Sequence, residues 1–153
     1  MQIFKRRVLI GKRTVVLLIP SFKNFIYPLC FMRNLGDTIH ELNSLIVLYM
    51  YEEALDKFYD ENIVIHENED APVVGLSAYK ERAKKIFYNN VSNYSAKLLN
   101  VIVSNELTAC EWHYQFDHKI WGHWDKIQLS VQRWKDGKII HERHYYDKNF
   151  KTK

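Results

Sequence analysis

The chain has 153 residues, of which 47% are apolar and 14% aromatic, so its length and composition suit one globular domain and exclude a disordered chain. It carries 22 basic and 18 acidic side chains, and seven of the basic ones lie in residues 1–36, which contain no acidic residue. The other 117 residues therefore hold 15 basic and 18 acidic side chains. Because a nucleic-acid-binding domain clusters Lys and Arg on its folded face, we expect no nucleic-acid partner.

The two cysteines, Cys30 and Cys110, lack the CxxC or Cys/His spacing of a zinc site, which favours a reduced, cytoplasmic protein. The longest apolar run near the start, residues 15–20, is far shorter than the ~20 residues that cross a bilayer. Lys12 and Arg13 also interrupt the apolar stretch that a signal peptide requires. We therefore expect no membrane association.

Residues 1–36 fit neither a helical nor a strand period and contain several helix- and strand-breaking residues. These are Gly11, Pro20, Pro28 and Gly36. We predict that residues 1–36 form a basic extension separate from a domain spanning residues 38–150. The extension is interpreted as a disordered arm, a docking segment, or residues upstream of a natural start at Met32.

Helical patterns fill the first half of the predicted domain. The sequence from Thr38 to Glu41 has the form of a capping box and predicts a helix start, and a second helical stretch ends before Asp60. Residues 63–67 are β-branched and predict a strand. Ser77 is expected to cap a third helix with one apolar face. That face comprises Tyr79, Ala83, Ile86 and Phe87.

From residue 94 the apolar period becomes two, which predicts a series of long antiparallel strands. Their predicted ranges are 94–104, 107–117, 127–134 and 138–147. Asp136 and Gly137 form the residue pair of a tight hairpin turn between the last two. Helices followed by a sheet indicate an α+β fold, with the helices packed on the concave face of a curved antiparallel sheet.

The segments 51–87, 109–116 and 131–147 resemble the nuclear transport factor 2-like superfamily, and within it the SnoaL-like group of polyketide cyclases and relatives of ketosteroid isomerase. The resemblance implies a cone-shaped fold around a pocket, a small apolar organic ligand and a homodimer. Because this fold carries both enzymes and non-catalytic modules, function has to be argued from the site.

The resemblance to SnoaL-like cyclases implies an aspartate that faces the pocket on the last strand, after a GKI turn. In this chain His144 stands at that offset from Gly137. Strand alternation places it on one face with Ile140, Glu142 and Tyr146, the face that the family comparison favours for the pocket. We predict His144 as a general acid/base, because imidazole exchanges protons near neutral pH, and Glu142 as its orienting partner. Alternatively, both are polar residues on a solvated or dimer-facing surface.

The strand at residues 109–116 separates an apolar face from a polar one. Burial favours the first as core or pocket wall, with Glu111 and His113 on the outer face, although these two polar side chains are an alternative lining. Gln132 and Trp134 share a face on the next strand. The predicted ligand-binding residues are Trp112, Tyr114, Gln132, Trp134 and Tyr146.

We expect neither a metal nor a cofactor. His113, His118 and His123 recur at steps of five, which places neighbours on opposite strand faces. There is no GxSxG, P-loop, GxGxxG or zinc-protease motif. Trp121 and Trp124, near a turn, are candidates for subunit contacts. Two interpretations remain: a cofactor-independent cyclase or isomerase, and a non-catalytic ligand-binding or dimeric interaction module.

Overall fold

A computed structural model describes residues 3–10, 13–20 and 34–148 of the chain, which divides into two compact units, residues 1–32 and 33–153. In the first unit, strands β1 (Ile3–Ile10) and β2 (Arg13–Pro20) pair as an antiparallel hairpin. The sequence pattern had predicted no element there. Cys30, Met32 and the end of the predicted domain, residues 149–150, lie outside the described residues.

Helix α1 (Leu35–Val47) begins before the predicted start because Asn34, and not Thr38, is its N-cap. The Asn34 Oδ1 atom accepts a hydrogen bond of 2.8 Å from the Asp37 backbone N–H. Thr38 lies inside the helix, 6% exposed, and its hydroxyl donates to the Asn34 carbonyl at 3.2 Å. The capping-box prediction was therefore wrong by one helical turn.

Two further helices follow, α2 (Tyr51–Phe58) and α3 (Leu76–Ala83), and α3 continues into a π-helical turn at Lys84–Tyr88. The prediction that Ser77 caps α3 was wrong, because the helix has already begun at Leu76. Gly75 precedes α3 with a φ of 92°, a conformation that favours glycine, and no side chain caps this helix.

The second unit contains one curved, unclosed sheet of six strands. They are β3 (Tyr59–Glu67), β4 (Val73–Val74), β5 (Val91–Ser104), β6 (Leu107–His118), β7 (Gly122–Lys135) and β8 (Lys138–Tyr146). Their spatial order is β4-β3-β8-β7-β6-β5. The long strands confirm the α+β prediction, but the sheet is mixed and not purely antiparallel, because β3 pairs parallel with β8.

The β7–β8 hairpin turns at Asp136 and Gly137 as predicted, with φ values of 51° and 77°. A β-bulge follows, since Trp134 pairs with Ile139 whereas Arg133 pairs with His141. Ile139 is 0% exposed and Ile140 is 37% exposed. Placing Ile140 on the pocket face was thus wrong, because the bulge changes the alternation before Glu142.

The apolar core of the second unit lies between the helices and the concave face of the sheet. It includes Ile39, Leu42, Leu55, Phe58, Ile63, Ile65, Cys110, Trp112 and Ile139. Of the helices that the structure describes, none is long and apolar enough to cross a membrane.

Candidate functional site

A cavity of about 530 Å³ opens between the helices and the concave face of the sheet. Its walls are mainly aromatic and aliphatic side chains. They include Leu55, Tyr79, Phe87, Trp112, Tyr114, Phe116, Trp124 and Tyr146. The predicted apolar face of α3 and the following turn contributes Tyr79, Ala83, Ile86 and Phe87 to this lining. The volume suits a small organic molecule.

Four of the five predicted ligand-binding residues line the cavity: Trp112, Tyr114, Gln132 and Tyr146. Trp134 does not, because it packs behind the wall, with its ring centroid 6.4 Å from that of Phe58. Its indole Nε1–H donates a hydrogen bond of 2.9 Å to the Thr108 hydroxyl. The prediction for Trp134 was wrong since strand alternation identifies a face but not the depth at which a side chain lies.

Trp121 and Trp124, the candidates for subunit contacts, also line the cavity. Trp124 is 5% exposed and stacks on Phe116 with a centroid distance of 5.4 Å. Trp121 is partly buried and stacks on His118 at 3.8 Å. Both indoles therefore belong to the aromatic wall.

The polar end of the cavity is built around Glu142, which is 2% exposed. The Tyr59 hydroxyl donates to its Oε2 atom at 2.8 Å, and the Gln132 Nε2 amide donates to its Oε1 atom at 2.7 Å. Burial raises the pKa of Tyr59 well above its usual value, and the neighbouring Glu142 raises it further. Tyr59 therefore keeps its proton and remains a donor to the carboxylate.

His144 lies beside Glu142 in the cavity lining, with its Nε2 atom 3.7 Å from the Glu142 Oε2 atom. Its Nδ1 atom is 2.9 Å from the Ser130 hydroxyl and 3.1 Å from the Gln128 Nε2 amide. The structure thus brings together the two residues predicted to act as acid/base and orienting partner. Their side chains are 12% and 3% exposed, so the alternative of a solvated surface was wrong.

A buried chain of hydrogen bonds holds the polar end across neighbouring strands. The Thr108 hydroxyl donates to the Gln132 Oε1 atom at 2.7 Å, while the opposite end of that amide binds Glu142. Because Gln132 is 1% exposed, its amide orientation is fixed on both sides by protein partners. The carboxylate of Glu142 is therefore held in one position.

Charged side chains lie at the cavity mouth. Lys148 forms an ion pair of 2.6 Å with Asp70, and both residues belong to the lining. Glu67 lies near the hydroxyls of Tyr79 and Tyr146, whose pKa values are raised first by burial and then by this carboxylate. Both phenols therefore stay protonated.

Among the residues that contact Glu142 or His144, sequence reasoning missed Tyr59, Gln128 and Ser130. Gln128 and Ser130 share the alternation of Gln132 on β7, so the period of two contained a signal for them. Tyr59 had none, because it lies at the junction of α2 and β3, where the period changes from helical to extended.

The three evenly spaced histidines have separate partners. His113 contacts Asp125 and His123 contacts Asp117, both on exposed side chains. The hydrogen bond with His113 is the largest cause that lowers the pKa of Asp125. The pKa of Asp117 is lowered first by its hydrogen bond with Asn93 and then by that with His123. His118 is 3% exposed and lies 2.8 Å from the Ile86 carbonyl. The three rings do not converge, as predicted from their odd spacing.

Solved structures with the same fold are distant in sequence. One is a Mesorhizobium loti protein described as a SnoaL-like polyketide cyclase, with 18% identity, a TM-score of 0.64, and coverage of 72% of this chain and 97% of that one. An NTF2-like protein from Burkholderia thailandensis has 13% identity and a TM-score of 0.63 over 72% and 88% of the two chains.

A third is a Catenulispora acidiphila protein with a ketosteroid isomerase-like fold, in complex with trimethylamine. It is 13% identical, with a TM-score of 0.58 and coverage of 72% of this chain and 88% of that one. These likenesses establish the fold alone. No curated protein matches the chain.

The family profile described as SnoaL-like polyketide cyclase matches residues 50–149, well over half of the chain. The match includes α2, α3, the whole six-stranded sheet and every polar residue of the cavity described above. The chain belongs to the SnoaL-like family of the NTF2-like superfamily.

Proposed function

We propose that this domain binds a small, largely apolar organic molecule in the cavity and transfers a proton within it, as a cofactor-independent cyclase or isomerase does. The observation that carries the proposal is the buried Glu142–His144 pair at the polar end of an otherwise aromatic cavity. An apolar cavity with a few convergent polar groups is the usual form of a small-molecule site.

The pair suits proton transfer next to a carbonyl group. A carboxylate and an imidazole 3.7 Å apart supply a proton acceptor and a hydrogen-bond donor to one substrate. The surrounding walls exclude water and strengthen their electrostatic effect on it. Glu142 does not stand at the position of the aspartate that the resemblance implies, because His144 occupies that offset from Gly137. The chemistry is therefore argued from the Glu142 and His144 side chains themselves.

The test is hydrogen exchange in 2-tetralone, a bicyclic apolar ketone with acidic hydrogens beside its carbonyl. In D₂O, proton NMR should show that the protein accelerates loss of these signals over buffer. His144→Gln should slow the exchange by about tenfold or more at an unchanged melting temperature, because a positioned acid/base group contributes ~10² to 10⁴ in rate. His113→Gln, on the outer face, is the matched control.

Binding without catalysis is the second candidate function. If 2-tetralone broadens the resonances of cavity residues but exchanges no faster than in buffer, the domain is a ligand-binding module and the catalytic half of the proposal is wrong. If neither binding nor exchange occurs with this ketone or a panel of larger apolar ketones, the small-molecule proposal fails as a whole.

We also propose that the protein is a cytoplasmic homodimer. The support for dimerisation is a set of exposed apolar side chains on the outer face of the sheet, among them Ile102, Ile127, Leu129 and Tyr145. The support for the cytoplasm is the buried Cys110 thiol, which is free.

A further inference from the structure

We infer that Ser130 and Gln128 hold His144 in the tautomer that carries its proton on Nε2, so that His144 donates a hydrogen bond to the substrate oxygen and Glu142 is the base. The catalytic half of this inference rests on the proposed function, whereas the tautomer stands on geometry alone. It divides between two residues the roles that the sequence had assigned to His144.

The environment of Nδ1 determines the tautomer. The Gln128 amide N–H lies 3.1 Å from Nδ1, and the Ser130 hydroxyl, 2.9 Å away, is free to rotate its proton toward the same atom. A proton on Nδ1 would face the Gln128 donor. Because Ser130 is directly opposite His144 in the β7–β8 pairing and is 3% exposed, this arrangement is part of the sheet.

Nε2 is therefore left with the proton, on a side chain that lines the cavity. The nearest acidic atom is the Glu142 Oε2 atom at 3.7 Å, too long for a hydrogen bond. A carbonyl oxygen of a bound ligand is the acceptor that this N–H lacks. A neutral imidazole with its proton on Nε2 cannot accept a second proton at that nitrogen, so it is not the base.

Glu142 retains the capacity to act as the base. An ionised carboxylate has two oxygens with about four lone-pair positions, and Tyr59 and Gln132 occupy one on each oxygen. The remaining positions are available to a substrate hydrogen, and Glu142 belongs to the cavity lining. The two donors also fix the direction in which the carboxylate approaches the substrate.

The resulting step balances without a co-reactant. Glu142 takes the hydrogen from the carbon beside the carbonyl, the C–H electron pair forms a carbon–carbon double bond, and the carbonyl π pair moves to oxygen. The enolate oxygen is stabilised by the His144 Nε2–H, which keeps its proton. The carboxylic acid of Glu142 exchanges its acidic hydrogen with solvent, which is deuterium in D₂O, and then delivers it to the same carbon or to a conjugated one, restoring the starting enzyme.

His118 provides an internal reference for the tautomer. Its Nδ1 atom accepts hydrogen bonds of 3.1 Å from the backbone N–H groups of Ile120 and Trp121. Its Nε2–H therefore donates to the Ile86 carbonyl at 2.8 Å. Because every partner in these hydrogen bonds is a backbone group, no side-chain amide has to be oriented, and we expect His118 to give the spectrum of a ring protonated on Nε2.

The experiment is long-range ¹H–¹⁵N correlation NMR of full-length protein labelled with ¹⁵N-histidine, with the His144 signals assigned from their absence in His144→Gln. We expect wild-type His144 to show the same pattern as His118, with a protonated Nε2 and an unprotonated Nδ1. Gln128→Leu with Ser130→Ala should shift His144 toward a mixture of tautomers and leave His118 unchanged. Gln115→Leu, on the outer face, is the control and should change neither.

A proton on Nδ1 of wild-type His144, or no change of tautomer in the double variant, would overturn the inference even if ketone exchange occurs.

The exchange assay supplies the second arm. Glu142→Gln should abolish catalysed exchange. His144→Leu should lower it by ~10² to 10³, the loss typical of one donor to a developing oxyanion. His144→Gln, which keeps an N–H, should retain more than His144→Leu, and equal losses in these two would contradict the donor role.

Absence of exchange in the wild-type protein, with the Nε2–H tautomer present, would reject the proposed reaction and with it the catalytic half. The positioning by Ser130 and Gln128 would then still stand on the NMR result. The two failures are thus distinguishable.

Discussion

At the level of single residues, the buried carboxylate of Glu142 defines both the stability and the chemistry of the site. A carboxylate that is 2% exposed is tolerated because donors replace the water it has lost. Tyr59 supplies one donor from β3 and Gln132 another from β7, so three strands meet at this group. Removing one donor leaves a buried charge undersolvated.

We predict that Tyr59→Phe lowers the free energy of unfolding by ~1 to 3 kcal/mol, because it removes the hydroxyl but keeps the ring that fills the core. Urea denaturation monitored by circular dichroism measures the change. Tyr145→Phe, at an exposed position on the outer face, is the matched control and should change stability little. Equal effects of the two substitutions would mean that the Tyr59 hydroxyl does not support Glu142.

His141 gives a pH-dependent prediction. Burial lowers the pKa of His141 below its usual value, and the nearby His66, Arg143 and Arg133 lower it further, although Glu142 acts in the opposite direction. The unfolded chain then binds the proton more readily than the folded one, so stability falls as pH drops below the unfolded pKa of ~6.5 toward the lower folded value.

His141→Gln should therefore reduce the loss of melting temperature between pH 7.5 and pH 5.5, as measured by differential scanning calorimetry. His40→Gln, on the exposed face of α1, is the control. A wild-type loss that His141→Gln leaves intact would show that another group accounts for it.

Among the secondary-structure elements, helix α1 shows how a plausible local pattern competes with a better one nearby. Asn34 is an N-cap as good as Thr38, and its use adds a turn to the helix and buries Thr38. We predict that Asn34→Ala lowers the unfolding free energy by about 1 kcal/mol, while Asn34→Asp, which keeps an acceptor, retains most of it. Thermal unfolding compares the two, and no difference between them would contradict the assigned cap.

The elements that the sequence predicted are those with a strong period or a distinctive turn. The alternation from residue 107 to 116 and the Asp136–Gly137 turn were enough to predict β6 and the last hairpin. The resemblance, and not the alternation, selected the face of β8 that carries His144 and Glu142. The parallel pairing of β3 with β8 was not predictable, because it joins segments far apart in the chain. Local patterns do not determine such partners.

The bulge at Ile140 and the depth of Trp134 were missed for a related reason. Strict alternation assumes an even register, and the shift between Arg133 and Trp134 breaks it without a glycine or proline to mark the place. Whether an inward side chain lines a cavity or packs behind it depends on the helices opposite. Tyr59 entered the site in the same way, through packing between elements.

At the level of the whole molecule, the buried core residues that the structure describes all lie between Ile39 and Ile139. We predict that removing residues 1–32 keeps cooperative unfolding and changes the melting temperature little, since Asn34 caps α1 and remains present. Calorimetry of the shortened and full-length proteins tests this. Loss of the cooperative transition would show that the first unit contributes to the core.

The outer face of the sheet is the surface on which we expect a second copy of the chain to bind. Leu129 is 38% exposed and lies opposite both Glu111 on β6 and Tyr145 on β8, so it is near the centre of this face. Ile127, 49% exposed, is its neighbour on the same side of β7. Contiguous exposed apolar side chains of this kind mark interaction surfaces.

Light scattering should therefore give about twice the chain mass of 18.4 kDa for the wild-type protein at micromolar concentration. Ile127→Lys combined with Leu129→Lys should give the single-chain mass, because a self-complementary interface would bring the new charges of both copies together without partners. Ile120→Lys, at a turn where the side chain is 79% exposed, adds charge elsewhere and should leave the dimer intact. A wild-type monomer, or a dimer that survives the double substitution, would show that this face is not the interface. A dimer through this face would cover the apolar side chains of the convex surface and leave the cavity on the concave side open to its ligand.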